Sequence, residues 1–327
     1  MKNAKDTRVL WVERAQVISM LLVVLHHCVP HGYDGPEWLR NLLEGIQYPA
    51  LVCFFLCSGL FADKWRRDGY GAYMRKRALR LLTPYFCVNL LMLAPRYVAA
   101  LALGVRARIT PLWLLTSFVD PHGQGIAPHL WFLLTLFIMG ALLPLLDALL
   151  RNKTPRRIVL AALLILSALP VKLPTLLCLN ELRLYLVWYA LGYALAITRG
   201  KDAPLTGAAG PALGGVGLLA FLLALCFPSV PAAIFMQMLG ALALVALAGR
   251  SGKVDPLTAA FRGRTYCVYI LSMCAQNLVE ALGYAAHLPW YVTFLVMLAA
   301  GLAVPMLVCR WHEKKPLPRW LRLVVGL

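Results

Sequence analysis

Apolar runs of about twenty residues recur along this chain, and short basic clusters separate them. That alternation constrains the fold more than any other feature. A bilayer core of about 30 Å is crossed by roughly 20 apolar residues in a helix, and the helix satisfies its own backbone N–H and C=O groups. Read by hydropathy, ten candidate spans lie near 12–29, 47–62, 82–103, 129–150, 158–177, 182–198, 205–227, 231–248, 265–283 and 289–309. Pro170 and Pro174 interrupt the fifth, and Pro228-Ser-Val-Pro231 reads as a tight turn between the seventh and eighth. Hydrophobic residues make up 61% of the 327, more than a soluble domain of that length keeps. The expected fold is all-α: a polytopic membrane helical bundle of about ten transmembrane helices. One domain is expected over 1–327, with spans from about 8 to 310 and a cytoplasmic tail at 311–327.

The net charge of +18 tests this partition. Basic residues are retained in cytoplasmic loops. With both termini cytoplasmic, only Arg40, Arg96, Arg106, Arg108, Lys172 and Arg183 of the 32 lysines and arginines fall on or near the outer side. A wrong helix count would scramble that asymmetry. Nucleic acid is not an expected partner, because the cations sit between apolar runs and not in one basic patch on a polar surface; anionic lipids at the basic loops are. The nine cysteines fall almost entirely within apolar runs, with no C-x-x-C pair and no zinc-like spacing, and read as small hydrophobes. No metal site is expected. The first run carries no small-residue cleavage pattern and reads as a span.

Strongly polar side chains inside a span are costly and mark either function or a packed polar pair. The first run holds Glu13, Gln16, His26 and His27. At 100° per residue, Glu13, Gln16 and His27 share one helical face, with His27 roughly 16 Å along the axis from Gln16, while His26 points about 100° away. Spacing alone leaves two readings, a functional face or groups that cap the helix and snorkel to the interfaces. Arg77 and Arg80, three apart, are neighbours on a helix surface. Together they either grip phosphates or supply ordinary positive-inside charge. His129 and Trp131 stand at the outer mouth of the fourth run, where tryptophan is commonly an interfacial anchor.

Glu13-Arg-Ala-Gln16, followed eleven residues after Gln16 by His27, resembles the first helix of the acyltransferase 3 family, an Asp-x-x-Arg with a histidine eleven residues beyond the arginine. Gln16 occupies the arginine position, and Arg14 lies about 200° round the helix from it. The resemblance continues in order along the chain. Pro49 to Gly59 carries Phe-Phe and Ser-Gly, and Lys76-Arg77-Ala-Leu-Arg80 runs into Pro84-Tyr85. His129-Leu-Trp131-Phe132-Leu133 and Leu191-Gly192-Tyr193 follow. Arg264-Thr-Tyr-Cys-Val-Tyr269-Ile-Leu-Ser272 places Ser272 where the family commonly has a histidine.

The resemblance implies a membrane-embedded O-acyltransferase of the cell membrane. It would move an acetyl or other acyl group from acetyl-CoA or another acyl-CoA to a hydroxyl of a sugar, polysaccharide or other cell-envelope acceptor. No permanently bound cofactor is implied. His27 takes the catalytic role, as general base or transient acyl acceptor, because an imidazole suits proton transfer near neutrality. Arg77 and Arg80 take the acyl-CoA. Gln16, His129 and Ser272 support the site. Glu13 is assigned to packing or channel lining, with Arg77 or Arg80 as candidate partners. Two other readings compete: a transporter or flippase of a small molecule or glycolipid, and a relative without chemistry that scaffolds envelope enzymes.

Overall fold

A computed structural model describes residues 9–30, 32–102, 110–200, 212, 214–219, 230–249 and 254–327. Most of the seventh apolar run, Pro228 and Ser229 of the expected turn, Cys226 and the side chain of Arg96 lie outside the described residues. Every regular element described is a helix. In order these are α1 Leu10–His26, α2 Glu37–Gly45, α3 Gln47–Leu60, α4 Lys64–Asp68 and α5 Tyr70–Arg77. A π-helical turn, Ala78–Leu82, leads into α6 Thr83–Ala102. There follow α7 Pro111–Val119, α8 Trp131–Ala141, α9 Leu143–Leu150, α10 Lys153–Ala168 and α11 Leu179–Thr198. The last are α12 Val230–Ala248, α13 Pro256–Phe261, α14 Thr265–Ala285, α15 Trp290–Lys314 and α16 Arg319–Val325.

Among the described residues, three helical stretches are long and apolar enough to cross a membrane: 37–68, 70–94 and 290–314. A fourth arises if 128–141 and 143–150, bent by 55°, count as one span. The first of the three is mostly buried within the bundle, whereas the second and third carry apolar side chains on the outside. Leu295, Val296, Val304 and Leu307 of α15 are all exposed, the pattern of a helix whose surroundings are lipid.

Prolines set the boundaries that hydropathy misjudges. Leu169 adopts φ −64°, ψ 137° and ends α10, because the ring of Pro170 disfavours helical backbone at the residue before it. The run expected to reach 177 therefore stops at Ala168. The fourth run bends at Leu142, just before Pro144, whose ring removes a backbone donor; the Tyr70 hydroxyl donates to the Ala141 carbonyl at this bend, at 2.9 Å. Two short helices escape a hydropathy window: α2, which runs into α3 through Ile46, and α7. Thr110 caps α7 by accepting from Trp113 N–H at 3.1 Å, with Pro111 at the first helical position.

The centre of the bundle is α3, against which α1, α11 and α12 pack. Gly59 and Gly192 make the α3–α11 crossing possible. A Cβ at Gly59 would overlap the Tyr189 carbonyl, and one at Gly192 would overlap the Leu56 carbonyl. Backbones this close are the signature of small-residue packing between membrane helices. At the end of the bundle that carries the α4 arginines, buried Asp147 accepts from Arg66, from the Tyr193 hydroxyl at 2.7 Å and from Arg151 at 3.3 Å, tying α4 and α9 to α11.

Arg14 is buried and structural. Its guanidinium donates to Asp255 at 2.8 Å and to the Ala248 carbonyl, joining α1 to the end of α12 and the start of α13. Asp255 caps α13 through Thr258 N–H at 2.8 Å. That backbone hydrogen bond first, and the Arg14 guanidinium second, hold the Asp255 carboxyl well below the ordinary carboxylate range. A depressed folded pKa contributes stability that is fully present above the unfolded value of about 3.9 and is lost as pH falls towards the folded one. Thermal stability in detergent should therefore decline below about pH 4, and Asp255→Asn should start lower and lose that part of the acid slope. An unchanged slope in the variant would assign the acid sensitivity elsewhere.

Candidate active site

A cavity of about 470 Å³ opens among α1, α3, α5, α8 and α14, lined by Gln16, Arg77, Arg80, Tyr266 and Tyr269 together with Lys64, Asp68 and Lys76. It adjoins a second cavity of about 970 Å³ that shares Gln16, Lys64, Arg80, Thr265 and Tyr266 with it. The second is bordered by the start of α1 at Val9 and Glu13, and by Arg322 and Leu323 of α16. Both ends of the described chain thus border one basic space.

The two arginines read from sequence line this space, each held by a different helix. The π-helical turn that follows Arg77 and contains Arg80 departs from the α-helical spacing assumed above, and such turns are frequent at functional sites. Arg77 donates to the Tyr73 hydroxyl at 2.9 Å and to the Leu136 carbonyl of α8 at 2.5 Å. It lies directly over Gly140, where a Cβ would come within 3.0 Å of its Cζ. Arg80 sits over the Tyr266 ring at 5.2 Å, and the Tyr266 hydroxyl donates back to the Arg80 carbonyl at 2.6 Å. Beside them Asp68 accepts from Lys76 at 2.9 Å and Arg67 at 3.1 Å. These pairs, Lys76 first, draw its carboxyl below the usual range. Gly140→Ala should displace Arg77 from its perch on α8 and weaken anion binding in the cavity by roughly tenfold, the scale of one charge-assisted contact. Titration with inorganic pyrophosphate would check this, and wild-type affinity would mean that Arg77 is not positioned by Gly140.

Gln16 lines both cavities and so stands at their junction. Glu13 lines only the second of them; it pairs with Arg262 at 2.9 Å.

The remaining expected residues line neither cavity. His27 follows α1 as its C-terminal cap and is partly buried, its ring 4.7 Å from that of His26. His26 is tethered to the Leu43 carbonyl at 2.9 Å. His129 is buried. An aromatic layer lines the basic cavity on its His129 side: Phe132 packs edge-on against Phe54 at 5.8 Å and Tyr269 at 5.6 Å. Tyr269 connects the cavity to His129. It lines the 470 Å³ cavity, packs edge-on against His129 at 6.4 Å, and donates its hydroxyl to the His129 carbonyl at 2.5 Å. Ser272 is buried one turn further along α14, its hydroxyl 3.5 Å from the Tyr269 carbonyl.

Several polar residues here were not singled out by sequence. Gln276 is fully buried and donates to the Val24 carbonyl at 2.8 Å, bracing α14 against α1 beneath His27. Its signal was available, since it follows Ser272 by four residues and shares that helical face. Glu181, also buried, pairs with His122 at 2.8 Å, and His122 stacks on Trp131 at 5.4 Å. Trp131 stacks in turn on Tyr185 at 5.8 Å, so it belongs to an aromatic stack running into the core. No sequence pattern links residues 122 and 181. Among the described residues, no cluster of histidine, cysteine or acidic groups could hold a metal ion.

An all-helical bundle with apolar outward-facing helices and a cavity lined by an arginine pair has the architecture of a membrane protein. The chain belongs to the acyltransferase 3 family: the family model, described as an acyltransferase domain, matches residues 9–310. No curated protein and no solved structure matches the chain. It is therefore a member of a membrane acyltransferase family, and every cavity-lining residue named above except Arg322 and Leu323 falls within the matched region.

Proposed function

We propose that the chain is a multi-pass O-acyltransferase of about ten spans, with both termini cytoplasmic, in the cell membrane. It takes an acetyl or other acyl group from acyl-CoA at the basic end and passes it to a hydroxyl of a sugar, glycan or other cell-envelope acceptor. The observation that carries this reading is the pair of adjoining cavities presenting Arg77 and Arg80 inside an acyltransferase domain. Guanidinium forks match phosphate geometry, and a basic recess at the cation-rich end is where a polyanionic donor enters.

In this reading the phosphates rest on Arg80 and Arg77 and the thioester arm runs along α1, past Gln16, towards His27. Neutral His27 accepts the proton of the acceptor hydroxyl as its oxygen bonds to the acyl carbon. The C–S bond breaks, and the proton passes to the departing thiolate. In the variant route the imidazole nitrogen attacks first and carries the acyl group to the hydroxyl. Tyr269, between the cavity and His129, would steer the arm through the aromatic layer. Gln16, in the family's arginine position, offers amide hydrogen bonds in place of charge, which leaves Arg80 and Lys64 as the cations at the junction.

The test is mass spectrometry of envelope glycans from cells with and without the protein. A protein-dependent mass gain of one acyl group on a defined fraction supports the reading. Identical glycans, together with protein-dependent movement of a lipid-linked substrate across vesicles, would contradict it in favour of a transporter. With the acceptor in hand, Arg77→Ala should raise the KM for acyl-CoA roughly tenfold or more with a smaller fall in kcat, because the contact serves ground state and transition state alike.

A further inference from the structure

We infer that the C-terminal helix α16, which lies beyond the region matched by the family model, forms part of the donor site, with Arg322 holding the terminal phosphate of the nucleotide end of the donor. The inference rests on the acyl-CoA reading above.

The segment 311–327, read from sequence as a tail, is docked. α15 continues to Lys314, and Pro316-Leu-Pro318 then turns the chain back; His312 Nδ1 accepts from Leu317 N–H at 3.0 Å and fixes the turn. α16 packs against α6 and α14, burying Val324 in the main core. Gly326, at φ +77°, seats against Ile270 and the Tyr266 ring so closely that a Cβ would come within 2.8 Å of both. Tyr266 is also the platform for Arg80, so α16 and Arg80 are braced by one side chain.

Four arginines face the outer, 970 Å³ cavity, and they are not equivalent. Arg262 is paired with Glu13, and Arg264 with Glu313 at 3.0 and 2.5 Å. Among the described residues, Arg80 and Arg322 have no carboxylate partner. The Nε of Arg322 is buried without a hydrogen bond, an unmet donor whose desolvation costs free energy until an acceptor arrives. Two uncompensated guanidiniums facing one cavity make it a receptor for a ligand with separated phosphates. Arg80 lines both cavities and Arg322 only the outer one. A donor whose thioester points inward would therefore place its pyrophosphate at Arg80 and its ribose 3′-phosphate at Arg322. A lipid headgroup offers the same phosphate chemistry, and the experiment separates the two sources.

The full chain in phosphatidylcholine nanodiscs is titrated calorimetrically with coenzyme A and with dephospho-coenzyme A, which lacks the 3′-phosphate. Wild type is expected to bind coenzyme A about tenfold more tightly than the dephospho form, the scale of one charge-assisted contact. Arg322→Ala should erase that ratio while keeping wild-type affinity for dephospho-coenzyme A, which also reports an intact fold. Arg319→Ala, on the same helix but outside the cavity lining, should keep the ratio. Adding phosphatidylglycerol should leave the wild-type ratio in place; its disappearance would assign Arg322 to a lipid headgroup and overturn the inference. An unchanged ratio in Arg322→Ala, or equal losses in Arg319→Ala, would also overturn it while sparing the acyl-CoA reading. Wild type that binds neither nucleotide would overturn that reading itself.

Discussion

His27→Ala should lower acyl transfer about a hundred- to ten-thousand-fold, the range a positioned acid or base contributes, while the purified variant melts at the wild-type temperature. His27 caps α1 and is only partly buried, so truncating it leaves no large core cavity. Its immediate neighbour provides the control. The His26 ring lies 4.7 Å away and is tied to the Leu43 carbonyl at 2.9 Å, so His26→Ala should loosen the link between α1 and α2 and retain most of the activity. Steady-state rates with saturating acyl-CoA distinguish the two variants. Equal losses in both would mean that the C-terminal end of α1 matters for its packing and that proton transfer occurs elsewhere.

The second large effect concerns the fold. Gly59→Ala and Gly192→Ala each place a methyl group on a carbonyl of the facing helix, Tyr189 in one case and Leu56 in the other. Overpacking commonly costs about 1–3 kcal/mol. Here the obstructing atoms are backbone and no rotamer change relieves them, so each variant should lose roughly 3 kcal/mol or more, and a bulkier substitution should abolish folded protein. The double variant should lose less than the sum of the two single losses, because helices already parted by one methyl accommodate the second. Thermal melting followed by size exclusion reads all three. A Gly192→Ala protein that melts with wild type would contradict the close α3–α11 crossing.

Hydropathy was enough to locate most of the helices, because a membrane helix must satisfy its backbone within one contiguous apolar segment; runs at 47–62, 182–198 and 265–283 coincide closely with α3, α11 and α14. The ends were less legible. Leu169 and Leu142 look apolar in any window, yet proline chemistry next to them ends α10 and bends α8 into α9. Arg77 and Arg80 were recognisable from spacing and family resemblance, but not their anchoring on Leu136 and Tyr266, which comes from helices far along the chain. Sequence spacing placed Glu13, Gln16 and His27 on one face. The fold puts Gln16 in the basic cavities and Glu13 against Arg262, and leaves His27 out of the lining of either cavity. Arg322 read as one more cation of a basic tail, because nothing in 311–327 announces that the helix folds back.

The reading of this protein as an enzyme depends on a route from the basic cavities to His27. Its most direct test is an experimental structure with a non-transferable acyl-CoA analogue bound. The account predicts phosphates on Arg80 and Arg77, the arm passing Gln16 and Tyr269, and the acyl carbon within hydrogen-bonding reach of the His27 ring. An analogue bound away from both arginines, or one whose acyl end stops at a closed layer of Phe132 and Tyr269 in a protein that is turning over, would contradict it.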